Sequence, residues 1–343
     1  MNDTNPASRR FLIIQTAFIG DTILSSALAE RLHRAFPDAR IDLFIRKGNE
    51  GLFDGHPFIS TLHVWDKSRG NKYRSLLPLL RVIRSMHYDY CITLQRHGTM
   101  GLLTLLSGAK TTVGFTMNPL SRFFTYKYIH KINPAKALHH ELDVYHQLLN
   151  PIVAAEERIY PRLYPSEKDY QAVRKDRPYI TIAPTSVWFT KQLPADRWVA
   201  LADRIPAELT ICLIGGPSDR EQCETIKGLS KHPGIINFAG SLTLLQSAAL
   251  ISKAVQNFAN DSSPVHIASS VDAPVTAVFC STVPAFGYGP LSKNGRIVET
   301  SELLPCRPCG PHGHTSCPEG HFKCAEIDVD ALLEGLHFPV SQG

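Results

Sequence analysis

The sequence predicts an α/β protein made of two Rossmann-like, doubly wound halves. Three observations carry this reading. Short apolar runs alternate along the chain with longer segments whose apolar residues recur at helical spacing. The alternation stops at a polar, proline-bearing stretch over residues 154–177 and then begins again. The length of 343 residues suits two domains of ~150–180 residues each better than one core. The expected division is residues 1–165 and 166–343.

In the first half, residues 11–15 (FLIIQ) form a short apolar run, as a buried strand does. Residues 21–36 follow with Leu24, Leu28, Leu32 and Ala35 on one helical stripe, and Pro37 ends them. Residues 41–45 and 62–65 read as the second and third strands. Residues 76–86 form an amphipathic helix that leads into a fourth strand at 88–94. A helix-like stretch at 137–153 closes this half. In the second half, strands are expected at 179–183, 209–214, 254–259 and 275–279. Helices are expected near 195–204, 218–230, 243–252 and 263–271. Strands alternating with helices of ~10–15 residues imply parallel sheets covered on both faces.

Hydrophobic content of 43% and charged content of 20% are those of a folded, soluble chain. No apolar run reaches the ~18 residues that span a bilayer. The segment MNDTNPASRR has no apolar signal-peptide core, so the protein is expected in the cytosol. A net charge of +5 lacks the density of a nucleic-acid binder, and no nucleic-acid partner is expected. Basic residues do gather in the first half: Arg69, Lys72, Arg74, Arg81 and Arg84, then Arg122, Lys127, Lys131 and Lys136. They read either as a solvated helix face or as a surface turned to lipid or phosphate.

Ligands of open parallel sheets bind beyond the carboxyl ends of strands, and four loops there carry chemistry-bearing residues. Ala17-Phe18-Ile19-Gly20-Asp21 ends at the start of a helix, where Asp21 is either an N-cap or a carboxylate able to take a proton. Pro184 to Lys191 brings Thr185 and Ser186 hydroxyls and the Lys191 charge after a strand, which suits an anion; an ordinary surface loop is the alternative. Gly215-Gly216-Pro217-Ser218-Asp219 permits close approach to backbone, with Asp219 either on ribose hydroxyls or capping a helix. Asn260-Asp261-Ser262-Ser263-Pro264-Val265-His266 opens a helix whose N-terminus suits pyrophosphate, and His266 either touches phosphate or packs. Neither G-x-G-x-x-G nor G-x-x-x-x-G-K-[ST] occurs, which weighs against a nucleotide-binding oxidoreductase or a P-loop enzyme.

Together the stretches FLIIQTAFIGDTILSSALAERLHRAFPDARIDLFI, APTSVWFTKQLPADRW, GGPSDRE and NDSSPVHIASSVDAPVTAVF resemble glycosyltransferase family 9, which contains the ADP-heptose:lipopolysaccharide heptosyltransferases. The resemblance runs over residues 11–330. It implies a GT-B fold with two Rossmann-like domains facing a cleft, an acceptor-side domain first and a nucleotide-sugar domain second. It implies inverting transfer of a sugar, heptose from ADP-heptose foremost, to a lipid-anchored oligosaccharide of the lipopolysaccharide core, with no catalytic cofactor and with peripheral contact at the inner membrane. By the same resemblance Asp21 is the general base and Lys191, with Thr185 and Ser186, steadies the diphosphate. Asp219 then holds ribose, and Asp261, Ser262, Ser263 and His266 hold donor phosphates or sugar. The chain departs from the family's pattern at Gln15, Ser263 and Val265. Another nucleotide sugar, or a non-catalytic nucleotide-sugar binder, remains as the alternative; a pure binder has no use for Asp21 together with Lys191.

A cysteine-rich segment spans residues 306–324. Cys306, Cys309, Cys317 and Cys324 follow C-x2-C-x7-C-x6-C with histidines interspersed. That set suits a closed structural zinc site, with free thiols or a redox-sensitive disulfide as the alternative.

Overall fold

The computed structural model describes residues 8–68, 70, 72–132, 139–154 and 158–336. The chain forms two compact units, Met1–Tyr164 and Pro165–Gly343. Among the described residues no helix is long and apolar enough to cross a membrane.

The first unit runs β1 (Arg10–Gln15), α1 (Ile19–Ala35), β2 (Arg40–Arg46), β3 (Ile59–Trp65), α2 (Lys72–Ser85), β4 (Tyr90–Thr93), α3 (Gly98–Leu106), β5 (Thr111–Phe115), β6 (Tyr126–Tyr128) and α4 (Glu141–Gln147). Its six strands lie in the order β3-β2-β1-β4-β5-β6, every pair parallel. This is the doubly wound order, in which the chain leaves β1 toward one edge and β4 toward the other. β1 sits at the centre with Phe11, Leu12, Ile13 and Ile14 fully buried, which is why its sequence is a continuous apolar run rather than an alternating one. α2 and α3 cover one face of the sheet, packing Leu76, Ile83, Met100 and Leu103 on Leu12, Ile14 and Phe44.

The second unit runs α5 (Glu167–Val173), β7 (Tyr179–Ala183), α6 (Ala195–Ala202), β8 (Thr210–Leu213), α7 (Arg220–Leu229), β9 (Ile235–Asn237), α8 (Leu244–Lys253), β10 (Asn257–Asn260), α9 (Ser263–Ser270), β11 (Val275–Phe279), β12 (Gly295–Glu299) and α10 (Val329–Leu333). The strand order β12-β11-β10-β7-β8-β9 repeats the topology of the first unit, again all parallel. Trp198 is fully buried on α6 and packs with Leu201, Ile211, Leu213 and Phe258. Each half thus holds one Rossmann-like sheet, and the chain has the α/β, GT-B-type architecture of two such sheets.

Several expected elements change. Residues 154–177 are not a plain linker: α5 lies inside them, started by a capping box in which Ser166 Oγ accepts from the Asp169 amide while the Asp169 carboxylate accepts from the Ser166 amide. The helix expected over 137–153 is confined to α4, and residues 137 and 138 lie outside the described residues. α3, β5, β6, β9 and β12 were not expected. Of the basic cluster, Arg69, Lys136 and the side chain of Lys72 lie outside the described residues; Arg81 and Arg84 are exposed on α2.

Candidate functional site

In the second unit β7 and β10 are neighbours, and the chain leaves them in opposite directions, toward β8 and β11. That reversal opens a crevice at their carboxyl ends. The loop after β7 is closed by Gln192 Nε2 donating to the Ser186 carbonyl at 2.7 Å, and a single 3-10 turn covers Phe189–Lys191. The Leu193 amide donates to Asn260 Oδ1 at 2.9 Å and so ties this loop to the end of β10.

Through that tie Lys191 meets Asp261, with Nζ 2.7 Å from Oδ2 and side chains only 15% and 9% exposed. Thr282, just past β11, donates to the same Oδ2 at 2.7 Å. Two residues after Asp261 α9 begins. Its N-cap is Ser262, whose side chain does not cap the helix but donates to the Asn260 carbonyl at 3.2 Å. The first turn of α9 therefore has no side-chain acceptor of its own, the arrangement that suits an anionic ligand.

Thr185, Ser186, Lys191, Asp261, Ser262 and Ser263 are thus gathered at the β7/β10 switch point. His266 is buried on α9, with its ring edge-on to Tyr288 at 6.1 Å. Asp219 lies one strand over, past β8, where its carboxylate accepts from the Gly216 amide at 2.7 Å. A Cβ on Gly215 would stand 2.8 Å from Asp219 Cβ, so the glycine is what lets this turn close.

The cysteine-rich segment, read from sequence as a candidate zinc site, is spread out in this structure. Among the described residues no three His, Cys, Asp or Glu side chains are grouped so as to hold a metal ion. Cys306 Sγ faces His321 Nε2 at 3.8 Å, Cys309 donates to the Cys306 carbonyl at 3.3 Å, and Cys324 is packed into the hydrophobic core. Burial, reinforced by Cys309 and Cys317 nearby, pushes the Cys324 thiol up to about 11. All eight cysteines are free thiols in this structure, the other state that the sequence left open.

The first unit repeats the switch point at β1 and β4. Asp21 is not the N-cap of α1: that place belongs to Phe18, and Asp21 sits in the first turn, where the helix N-terminus favours negative charge. The Tyr145 hydroxyl donates to Asp21 Oδ1 at 3.3 Å and accepts from Gln15 Nε2 at 3.0 Å. Gln15 Oε1 accepts in turn from Gln95 Nε2 and from the Ala17 amide. Asn49 steadies the turn from behind, donating to the Ala17 carbonyl at 3.3 Å and to Thr22 Oγ1 at 2.7 Å. Lys67 Nζ donates to the Thr16 carbonyl at 2.7 Å, and burial followed by repulsion from Arg46 lowers its pKa below the usual lysine value. Gln15, Gln95, Tyr145 and Thr282 were not among the residues expected from sequence.

The family model described as glycosyltransferase family 9 (heptosyltransferase) matches residues 76–321. Lipopolysaccharide heptosyltransferase 3 of Escherichia coli is 23% identical over 292 residues, covering 81% of this chain and 85% of that protein. Among solved structures, the ADP-heptose lipopolysaccharide heptosyltransferase II of E. coli superposes with a TM-score of 0.77 at 20% identity, covering 95% of this chain and 97% of the other. A glycosyl transferase family 9 protein of Veillonella parvula superposes with a TM-score of 0.81 at 20% identity, covering 95% of both.

Proposed function

The chain belongs to glycosyltransferase family 9, and from that premise we propose that it transfers heptose from ADP-heptose to a hydroxyl of a lipid-anchored lipopolysaccharide core, with inversion. The observation that carries the reading is Lys191 held 2.7 Å from Asp261 at the foot of α9. A cation beside an uncapped helix N-terminus is what a departing diphosphate requires, because negative charge grows on that group as the glycosidic bond breaks.

The chemistry is one in-line displacement. The acceptor oxygen bonds to the anomeric carbon, the bond to the diphosphate breaks, and the acceptor proton passes to Asp21. Tyr145 orients that carboxylate. Lys191 takes up the charge on the leaving group, and Thr185, Ser186, Ser262 and Ser263 line the crevice around it. Asp261 is a poor phosphate ligand, since two anions repel; its place is as the counter-ion of Lys191 or on a sugar hydroxyl. Asp219 is available to the ribose through the oxygen that does not close its own turn. Lys67 and Arg46, next to the Asp21 loop, suit anionic groups of the acceptor.

Contact with the inner face of the cytoplasmic membrane belongs to the same reading. Leu77 on α2 is 53% exposed, and Leu102 and Leu106 on α3 are each 41% exposed. Leu77, Arg81 and Arg84 share one helical stripe, and Arg84 donates to the Leu106 carbonyl at 2.9 Å, which brings the stripe to α3. Apolar side chains rimmed by arginine suit an anionic lipid surface.

The test is thermal unfolding with ADP, UDP, GDP or CDP at about 100 times the dissociation constant, where a bound ligand adds roughly 2.7 kcal/mol. Stabilisation by ADP alone is expected. Stabilisation by UDP or GDP alone would replace the donor, and no response to any nucleotide would overturn the proposal.

A further inference from the structure

The cysteine-rich segment is the one motif that the transfer chemistry leaves without a role. It is fastened to the carboxyl end of β11 by Arg307, whose guanidinium donates to the carbonyls of Phe279, Cys280 and Thr282 at 3.1, 2.7 and 2.8 Å and to Glu299 at 2.8 Å. The Cys309 amide adds a bond to the Ser281 carbonyl at 2.9 Å. From this anchor the chain passes directly over the loop that carries Lys191.

Thr190 is the point of contact, and it is 1% exposed. Its amide donates to the His314 carbonyl at 3.1 Å, and its hydroxyl accepts from the His314 amide at 2.8 Å. Ser281 closes the other side: its hydroxyl donates to Thr190 Oγ1 at 3.0 Å and its amide to the Thr190 carbonyl at 3.2 Å. Gly313 makes the approach possible. It sits at φ +76°, in the left-handed region, and a Cβ there would stand 2.9 Å from Thr190 Oγ1, 3.1 Å from Lys191 Cγ and 3.3 Å from Ser281 Oγ.

We propose that the Gly313–His314 turn is a positioning element for Lys191, pressing the 190–191 loop into the place where Nζ can serve the departing diphosphate. The turn acts through Lys191 and does not itself touch the reacting atoms. A loop held by one single-sided contact could swing, whereas this one is clamped between β11 and the tail, on both faces of Thr190. The inference rests on the donor-site reading of Lys191 given above.

Gly313→Ala places a methyl group against Thr190 and the stem of Lys191. Displacement of a catalytic group by about an ångström costs up to roughly 100-fold, so a fall in kcat of about 10–100-fold is expected, with a smaller change in donor KM. The deciding comparison repeats Gly313→Ala in a Lys191→Met background. There it should cost nothing further, because the group it positions is gone. An equal loss in both backgrounds, or wild-type kcat in a folded Gly313→Ala protein, would overturn the proposal. If Gly313→Ala does not fold, Thr190→Val loosens the clamp by removing the two bonds to its hydroxyl, and kcat should fall in the same direction, while Thr190→Ser should keep wild-type kcat.

A readout independent of transfer is the rate at which an amine-specific acylating reagent modifies Lys191, followed by peptide mass spectrometry. Gly313→Ala should accelerate it severalfold, and an unchanged rate would count against positioning. If the wild-type protein transfers no sugar while this acceleration is seen, the donor reading fails and the clamp on Lys191 stands.

Discussion

Removing the charge of Lys191 should separate two effects that the structure joins at one atom. At 2.7 Å the ion pair with Asp261 is worth about 6 kcal/mol of gross attraction at an effective dielectric of about 20. Desolvation offsets most of that, so the pair itself contributes little net stability. Breaking it from one side is different. Lys191→Met leaves the Asp261 carboxylate, 9% exposed, with Thr282 as its remaining partner in this constellation. An uncompensated buried charge costs roughly 3 kcal/mol, which in a unit of this size lowers Tm by roughly 6–12 °C. Adding Asp261→Asn removes the stranded charge while keeping an acceptor for Thr282, so the double variant should recover all but about 1 kcal/mol. Activity should not recover: loss of a preorganised charge at the leaving group costs about 100–1,000-fold in kcat, in the single and double variants alike. Scanning calorimetry and a transfer assay on the three proteins read both effects. A single variant within about 2 °C of wild type, or a double variant no more stable than the single, would refute the argument from the buried pair.

Asp21→Asn keeps the shape of the side chain and its bond with Tyr145, but an amide cannot take the acceptor proton; kcat should fall about 100–10,000-fold while ADP binding by calorimetry stays at the wild-type value, and retained turnover would remove Asp21 from the chemistry. Acidification should weaken the first unit through His56 and His146. Burial lowers both to about 4, helped at His56 by repulsion from His33, and at His146 it outweighs the bond to the Ile159 carbonyl. Their folded values lie below the ordinary 6.5, so between pH 6.5 and 4 the unfolded chain binds the extra protons and stability falls as pH falls; from pH 7 to 5 the loss is about 2 kcal/mol per histidine as an upper figure. His56→Gln should flatten the acid slope of Tm, and an unchanged slope would exclude His56 as a source. Exchanging Leu102 and Leu106 for aspartate should abolish co-sedimentation with vesicles rich in anionic lipid without altering Tm, whereas undiminished sedimentation would move the membrane contact away from α3.

Much of the fold was legible because central parallel strands must be apolar throughout. β1, β7 and β11 are runs of mostly apolar, buried residues, and α1 and α6, which follow the first two, carry a helical stripe. Most strands that escaped notice are short or lie at sheet edges: β6 and β9 have three residues each, and β12, at the edge, keeps only Val298 buried. β5 is neither, and its sequence TTVGF lacks a continuous apolar run. α3 was missed for another reason. Its sequence GTMGLLTLL has no charged face, because Leu102 and Leu106 are exposed where polar residues would ordinarily mark the solvent side. α5 could have been found from Ser166 and Asp169, a capping-box spacing hidden in a charged stretch. In the site, residues at strand ends were legible one loop at a time, and their partners were not. Tyr145 lies 124 residues from Asp21, and His314 lies 124 residues from Thr190; no local pattern announces either pair.

The two switch points differ in a way that the proposed chemistry explains. A base must give up its negative charge when it takes a proton. Asp21 is steadied by a phenol, with the amides of Gln15 and Gln95 behind it. The hydroxyl donor fixes the direction in which the carboxylate points. The leaving group has the opposite need, because its charge rises as the bond breaks. Lys191 is accordingly held in place in advance, by Asp261 at one end of the side chain and by the clamp on Thr190 at the other. Preorganisation of this kind spares the reaction the cost of moving the charge into position. Asp261 would compete with the diphosphate for Lys191 if it were free to follow, and Thr282 opposes that by binding the same oxygen from the β11 side. Thr282→Val should therefore weaken ADP binding more than it weakens folding, a direction opposite to that expected if Thr282 served only the core.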